Sequence, residues 1–221
     1  MAELSARERV LARIRRRMPG DDGARAAGVA SRLAAPAPNL IPARGQGDLE
    51  HRIALFTRLM EAVGGTVERV GDHSEVPEAV AGYLRNGNLP AAIRRGADQT
   101  LATLPWHRAG TLEVTEGRAA ESDRAAISHA FAGVAETATI VLLSGPDNPT
   151  TLNFLPEAHI VLLDAADLHG DYEEAFARLR QRGGLPRTVN MISGPSRTGD
   201  VEQTIVRPAH GPKNMHVIIA G

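Results

Sequence analysis

Residues 139–165 read TIVLLSGPDNPTTLNFLPEAHIVLLDA and hold two apolar runs, each spelling IVLL, on either side of a loop rich in Pro and Asn. The runs have the length of strands and show no alternation of apolar and polar residues. Unbroken apolar runs of this kind are typical of strands that are buried on both faces of a sheet. The stretch therefore indicates an α/β protein whose sheet is covered on both sides.

Outward from this stretch, the alternation of strand and helix continues. Helical periodicity is strongest where Ile53, Phe56, Leu59, Met60 and Val63 form one apolar face before Gly64 and Gly65. The fold class that follows is an open, mostly parallel sheet with helices on both faces. The other predicted strands are TVERV (66–70), AAIRR (91–95), TLEVT (111–115), VNMIS (189–193) and MHVIIA (215–220), and the other predicted helices are 77–84, one from about 123, and 171–181.

The chain divides into three predicted parts. Residues 1–18 form an amphipathic helix, because Ser5 and Glu8 match a capping box and apolar residues follow at helical spacing. Residues 19–48 contain four prolines and five glycines with little periodicity, which predicts a linker that is mobile or wraps the surface. Residues 49–221 form the α/β domain.

Composition excludes several classes of function. The formal net charge is -1 and aromatic residues make up 3% of the chain, so neither a nucleic-acid surface nor an anionic membrane is an expected partner. The apolar runs are too short for membrane insertion, and the charged start is unlike a secretion signal, so a cytoplasmic location is expected. There is no cysteine, which removes thiolate chemistry and cysteine-ligated iron–sulfur clusters from this chain.

Familiar cofactor and metal motifs are absent from the sequence. GPSRTG has the spacing of a phosphate-binding P-loop, but Asp200 and Val201 stand where that loop needs Lys and Ser or Thr. RGQGDLE lacks the third glycine of a dinucleotide fingerprint and does not follow a strand. The eight histidines show no metal-ligand spacing, so no cofactor or metal is predicted in this chain.

Two glycine loops near the C-terminus are the candidate binding site. The first combines small hydroxyls, backbone amides and a guanidinium, which suits a carboxylate or a phosphate at a strand end. The second, around Gly211, either only forms the turn before the last strand or also contacts a ligand. The candidate residues are Ser193, Gly194, Ser196, Arg197 and Thr198 in the first loop, and His210, Gly211 and Lys213 in the second.

The residues ISGPSRTGDVEQTIVRPAHGPKNMHVII, with VAETATIVLL and LPEAHIVLL upstream, resemble the LUD domain of the lactate-utilization protein C family. Order and spacing agree from about residue 132 to the end. Ala138 departs from the glycine that is usual in the AETGT motif, and DNPTTLNF lacks the basic residue that usually precedes LP-x-x-HI.

The resemblance implies a fold similar to the sugar-phosphate isomerase and CoA-transferase superfamily. It also implies a part in oxidising L-lactate to pyruvate with two iron–sulfur partner proteins. Glu136 is then a candidate catalytic base or nucleophile, or else a loop cap, and Thr137 and Thr139 are candidate anion ligands, or else strand-forming residues. His159 opens a buried strand, where a histidine is more often part of the core than catalytic.

The function predicted from these observations is a non-redox subunit that binds a small anion or a nucleotide-like ligand. Two alternatives remain open: a stand-alone enzyme acting on a phosphorylated sugar or an acyl-CoA, and a scaffold that only docks the iron–sulfur partners.

Limited proteolysis tests the predicted domain boundary. A low protease concentration should cut first within residues 19–48, because that segment lacks the periodicity of a packed element. The fragments are identified by intact mass. Early cleavage within residues 132–221, with the linker still whole, would contradict the boundary.

Overall fold

The structure is a computed structural model that describes residues 5–18, 21–199, 205–206 and 210–221, with the backbone alone for residues 22, 198, 199, 205 and 206. The chain separates into two units, one ending at Leu40 and the other beginning at Ile41. Over the described residues the helices are α1 (Ala6–Arg17), α2 (Asp22–Ala34), α3 (Leu49–Ala62), α4 (Val76–Asn86), α5 (Gln99–Thr103), α6 (Thr150–Phe154) and α7 (Tyr172–Gln181).

The strands fall into a main sheet, a second sheet and one short hairpin. In the described part of the chain the strands are β1 (Thr66–Val70), β2 (Ala92–Arg95), β3 (Glu113–Glu116), β4 (Ala125–His129), β5 (Ala132–Val134), β6 (Thr139–Leu143), β7 (Ala158–Asp164), β8 (Leu168–His169), β9 (Val189–Ile192), β10 (Thr198–Gly199), β11 (Ile205–Val206) and β12 (Asn214–Ala220).

The main sheet has six strands in the order β1-β12-β7-β4-β2-β3, and every neighbouring pair is parallel. In the register of the neighbouring strands β7 and β12, Val161 lies opposite Val217 and Leu163 opposite Ile219. The open parallel sheet predicted from the sequence is confirmed.

Both faces of the main sheet are covered. On one face, Ile160 and Leu162 of β7 pack with apolar residues of α4 and α5. On the other face, Val161 and Leu163 pack with Phe56 of α3 and with residues of the second sheet. The unbroken apolar runs of the sequence therefore reflect burial on both sides, as parallel sheets require.

The second sheet has the order β8-β5-β6-β9, with antiparallel pairing of β6 to β5 and to β9. It contains TIVLL as β6, so that run is a buried strand as predicted, although it lies outside the parallel sheet. The short connection from β5 to β6 explains this placement, since neighbouring antiparallel strands can be joined by tight turns while parallel strands need a long crossover.

The helix predicted from about residue 123 is wrong, because residues 125–129 form β4, a central strand of the main sheet. Ala125 and Ala126 favour a helix locally, but both are buried between β7 and β2. Tertiary packing therefore outweighs the helix propensity of these two alanines.

The N-terminal unit, which ends at Leu40, contains the helices α1 and α2. The capping box of Ser5 and Glu8 is present at the start of α1. The segment predicted as a mobile or wrapping linker contains a helix that the sequence did not predict, α2, whose first turn is capped by the carboxylate of Asp21. Its alanines favour a helix enough to offset Gly23 and Gly28. No helix in the described residues is long and apolar enough to cross a membrane.

Four ionisable side chains meet at the carboxyl edge of the main sheet. His129 and Asp164 are the last residues of β4 and β7, and the Nε2 of His129 lies 3.1 Å from Asp164 Oδ2. His73 contacts the other oxygen of Asp164 at 2.5 Å, and Asp98 lies 3.4 Å from His129 Nδ1. Burial opposes protonation of His129, but the hydrogen bonds to Asp164 and Asp98 raise its pKa from 6.5 to about 9.

The shifted pKa values of three histidines predict that the free energy of unfolding is largest near pH 6 to 7. The folded-state pKa of His129 is raised to about 9, so the stability it contributes, about 3 kcal/mol at most, is lost between pH 6.5 and 9. Burial lowers the pKa of His159 and of His216 to about 4, so stability also falls as the pH decreases from 6.5. Urea unfolding across this pH range measures both slopes.

The variant His129→Gln separates the two effects. It should lose most of the decline above pH 6.5 and keep the decline on the acidic side. An alkaline slope as steep as that of the parent protein would contradict the assignment.

Candidate functional site

A cavity of about 460 Å³ lies between the two C-terminal glycine loops. Its walls also include two residues of α6 and the second residue of each of β7 and β12. Six of the predicted site residues line it: Ser193, Gly194, Ser196, Arg197, His210 and Gly211. The loops that the sequence singles out therefore converge on one concave site.

Hydrogen bonds hold the two loops together. The backbone N–H of Ser196 donates to the carbonyl of Pro212 at 2.9 Å. The backbone N–H of His210 donates to the Ser196 hydroxyl at 3.3 Å. One loop follows β9 and the other precedes β12, so these bonds join the second sheet to the main sheet at the cavity.

Gly194 fixes the first loop against α3. Its φ is +109°, in a region that residues with a Cβ avoid, and a Cβ there would lie 2.5 Å from Val63 Cγ2. Val63 is the C-cap of α3. Only glycine therefore allows the chain to pass so close to the end of this helix.

Four hydroxyl groups form a cluster that includes Ser193, a residue of the cavity wall. Thr139 Oγ1 is 2.6 Å from Ser193 Oγ, 2.7 Å from Thr137 Oγ1 and 2.8 Å from the hydroxyl of Tyr172. The structure thus brings the predicted Thr137, Thr139 and Ser193 together. Sequence reasoning missed Tyr172, whose position at the start of α7 gave no signal beyond an aromatic residue in a helical segment.

Glu136 lies away from the cavity walls. It is 4% exposed, and its backbone N–H donates to the carbonyl of Gly170 at 3.2 Å. Ala138, two residues further along the chain, is buried and adopts a left-handed conformation with φ +49°. This backbone geometry explains why the related motif carries glycine there, because a left-handed residue with a Cβ is strained.

The remaining predicted residues lie at or beyond the margin of the site. Lys213 is exposed, with its Nζ 4.0 Å from the carboxylate of Glu157, and it does not line the cavity. Thr198 pairs through its backbone with Val206, and its side chain lies outside the described part of the structure. Asp200, which stands where a P-loop needs lysine, also lies outside the described residues.

The chemistry that this arrangement supports is anion binding. Arg197 supplies a guanidinium, and the loops supply hydroxyl donors and glycine-rich backbone, a combination that stabilises carboxylates and phosphates. Among the described residues, no group of three His, Asp or Glu side chains is arranged to hold a metal ion.

The LUD domain family matches residues 53–220, and the chain therefore belongs to that family. A solved structure with the same fold is a DUF162 family protein from Deinococcus radiodurans, which is 20% identical with a TM-score of 0.62 and covers 80% of this chain and 100% of its own. The resemblance drawn from the C-terminal motifs is confirmed.

Relatives in other bacteria are more similar in sequence. A lactate utilization protein C of Exiguobacterium is 32% identical over 131 residues, which cover 58% of this chain and 56% of that protein. An uncharacterized protein of Neisseria meningitidis serogroup B is 29% identical over 143 residues, which cover 61% of this chain and 60% of that protein. The chain thus spans little more than half the length of these relatives.

Replacing Gly194 tests whether the loop depends on its backbone geometry. The variant Gly194→Ala should lower the free energy of unfolding by about 1–3 kcal/mol, because it strains the left-handed backbone and brings a methyl group into Val63. Gly184→Ala is the matched control, since a Cβ there would meet no atom within 4 Å. Equal stabilities of the two variants would show that the loop is not fixed in this way.

Proposed function

We propose that the chain is a non-redox subunit of a lactate-utilization system and that the cavity between its two glycine loops binds a small anion, with L-lactate as the first candidate. The observation that carries the proposal is the convergence of six predicted residues, Arg197 among them, on one cavity. A lone arginine on a surface would not support it, but an arginine beside hydroxyls and glycine backbone does.

The relatives support the lactate part of the proposal. Two proteins named lactate utilization protein C are 32% and 30% identical to this chain over 131 and 112 aligned residues. Oxidation of lactate to pyruvate releases two electrons, which need an acceptor. Because this chain has no cysteine, it cannot hold a cysteine-ligated iron–sulfur cluster, and we place the acceptor on iron–sulfur partner proteins.

The role of the anion site follows from its donors. The guanidinium of Arg197 and the backbone amides of the loops would hold the carboxylate in one orientation. Orientation of a reacting group is itself a large part of catalysis, so a subunit without a redox group can contribute to the rate. Glu136 would act indirectly, by supporting the turn that places Thr137 and Thr139.

Calorimetric titration with L-lactate tests the binding site. The variant Arg197→Ala should weaken binding by roughly 1.5–3 kcal/mol, the size of a charge-assisted hydrogen bond to a carboxylate. Arg58→Ala, which alters an exposed arginine of α3, is the control. Equal affinities of the two variants, with both folded, would place the anion elsewhere.

Reconstitution tests the subunit role with the same variants. The isolated chain should not reduce a redox dye in the presence of lactate, and it should restore activity when it is added to iron–sulfur lactate-utilization proteins. Arg197→Ala should restore less activity than Arg58→Ala. Lactate-dependent dye reduction by the isolated chain would favour the stand-alone enzyme, and full restoration by Arg197→Ala would favour the scaffold.

A further inference from the structure

The floor of the cavity is built from polar side chains that the sequence analysis did not assign to the site. Asn153 of α6 and His159 of β7 line the cavity and are each 1% exposed. Ser128 of β4 lies behind them and is also 1% exposed. Polar groups buried to this degree destabilise the fold unless they are hydrogen-bonded.

A chain of hydrogen bonds connects the three residues. The Ser128 hydroxyl donates to Asn153 Oδ1 at 2.9 Å, and His159 Nε2 lies 3.1 Å from the same hydroxyl. A serine hydroxyl has one hydrogen, which is already given to Asn153. The Nε2 of His159 must therefore carry the proton and donate to Ser128, which leaves Nδ1 as an acceptor in the neutral ring.

Two hydrogen-bonding groups of this floor remain for a ligand. Among the described residues, Asn153 Nδ2 is buried and has no hydrogen-bond partner. The other group is the lone pair on Nδ1 of His159, for which the described residues provide no hydrogen-bond donor. The ring stays neutral because burial lowers the pKa of His159 to about 4. One group donates and the other accepts.

A hydroxyl group matches this pair, because it can accept from Asn153 and donate to His159 at the same time. A carboxylate would set its oxygen against the lone pair of the imidazole, and a keto oxygen has no hydrogen to donate. We propose that Asn153 and His159 together bind the hydroxyl group of a 2-hydroxy acid whose carboxylate lies at the glycine loops.

Apolar side chains complete the match to this class of ligand. Phe154, Met191 and Met215 line the same cavity, and they can accommodate the alkyl group of the acid. The inference rests on the proposed function, since it takes the anion at the loops to be a carboxylate. It adds that the site distinguishes a hydroxy acid from the keto acid made by its oxidation.

Titration of the full chain with L-lactate, pyruvate and propionate tests the inference, because the three acids share a carboxylate and differ at the second carbon. Lactate should bind about tenfold more tightly than propionate, which lacks the hydroxyl, and more tightly than pyruvate, which lacks the donor. In Asn153→Leu, lactate should bind no better than propionate, while the affinity for propionate stays the same.

Two further variants separate recognition from structure. Ser128→Ala removes a single oxygen and lets His159 take either tautomer, so it should reduce the preference for lactate severalfold. Asn148→Leu changes another buried asparagine, which does not line the cavity, and it should keep the preference even if the protein becomes less stable.

The outcomes separate this inference from the proposed function. If lactate and propionate bind the parent protein equally well, or if Asn153→Leu keeps the preference for lactate, the hydroxyl site is wrong and the anion site stands. If none of the three acids binds, both proposals fail. A preference for lactate that disappears in Asn153→Leu and persists in Asn148→Leu supports the hydroxyl site.

Discussion

Burial of β7 and β12 on both faces is the constraint on which the rest of the fold depends. Every residue of β7 from Ala158 to Leu163 is buried, so apolar layers must cover both sides of the main sheet. On one side α4 and α5 provide that layer, while on the other side α3 shares the task with the second sheet. The second sheet therefore packs over the main sheet, and β9 ends close to the start of β12. The candidate cavity occupies the place where these two strand ends meet.

Most of the architecture could be predicted because β6, β7 and β12 are apolar at nearly every position. This local pattern is typical of strands that are buried on both faces. The strand β4 could not be predicted in this way, because Ala125 and Ala126 favour a helix locally. They form a strand because β4 pairs with β7 on one side and with β2 on the other. The loop residues of the site were recognisable from glycine and hydroxyl composition. Asn153 and Tyr172 were not, because each stands in an ordinary helical segment and reaches the site through the packing of distant elements.

The site is joined to the core at several points, so it cannot move independently of the fold. Gly194 lies against the end of α3, and α3 packs on the main sheet. Ser193 shares a hydrogen bond with Thr139, the first residue of β6. Ser196 is bonded to Pro212 in the opposite loop. A site held by both sheets is well suited to orienting a small ligand, because a rigid frame loses little conformational entropy when the ligand binds.

The position of β12 has a consequence for the order of folding. This strand lies between β1 and β7, so β1 has no partner in the main sheet until residues 214–220 are available. During synthesis, β1 and the helix that follows it leave the ribosome long before β12 does. The edge of β7 that β12 will cover is likewise exposed during that interval, and unpaired strand edges favour aggregation. Closure of the sheet is therefore a late, long-range event, and topologies of this type fold slowly.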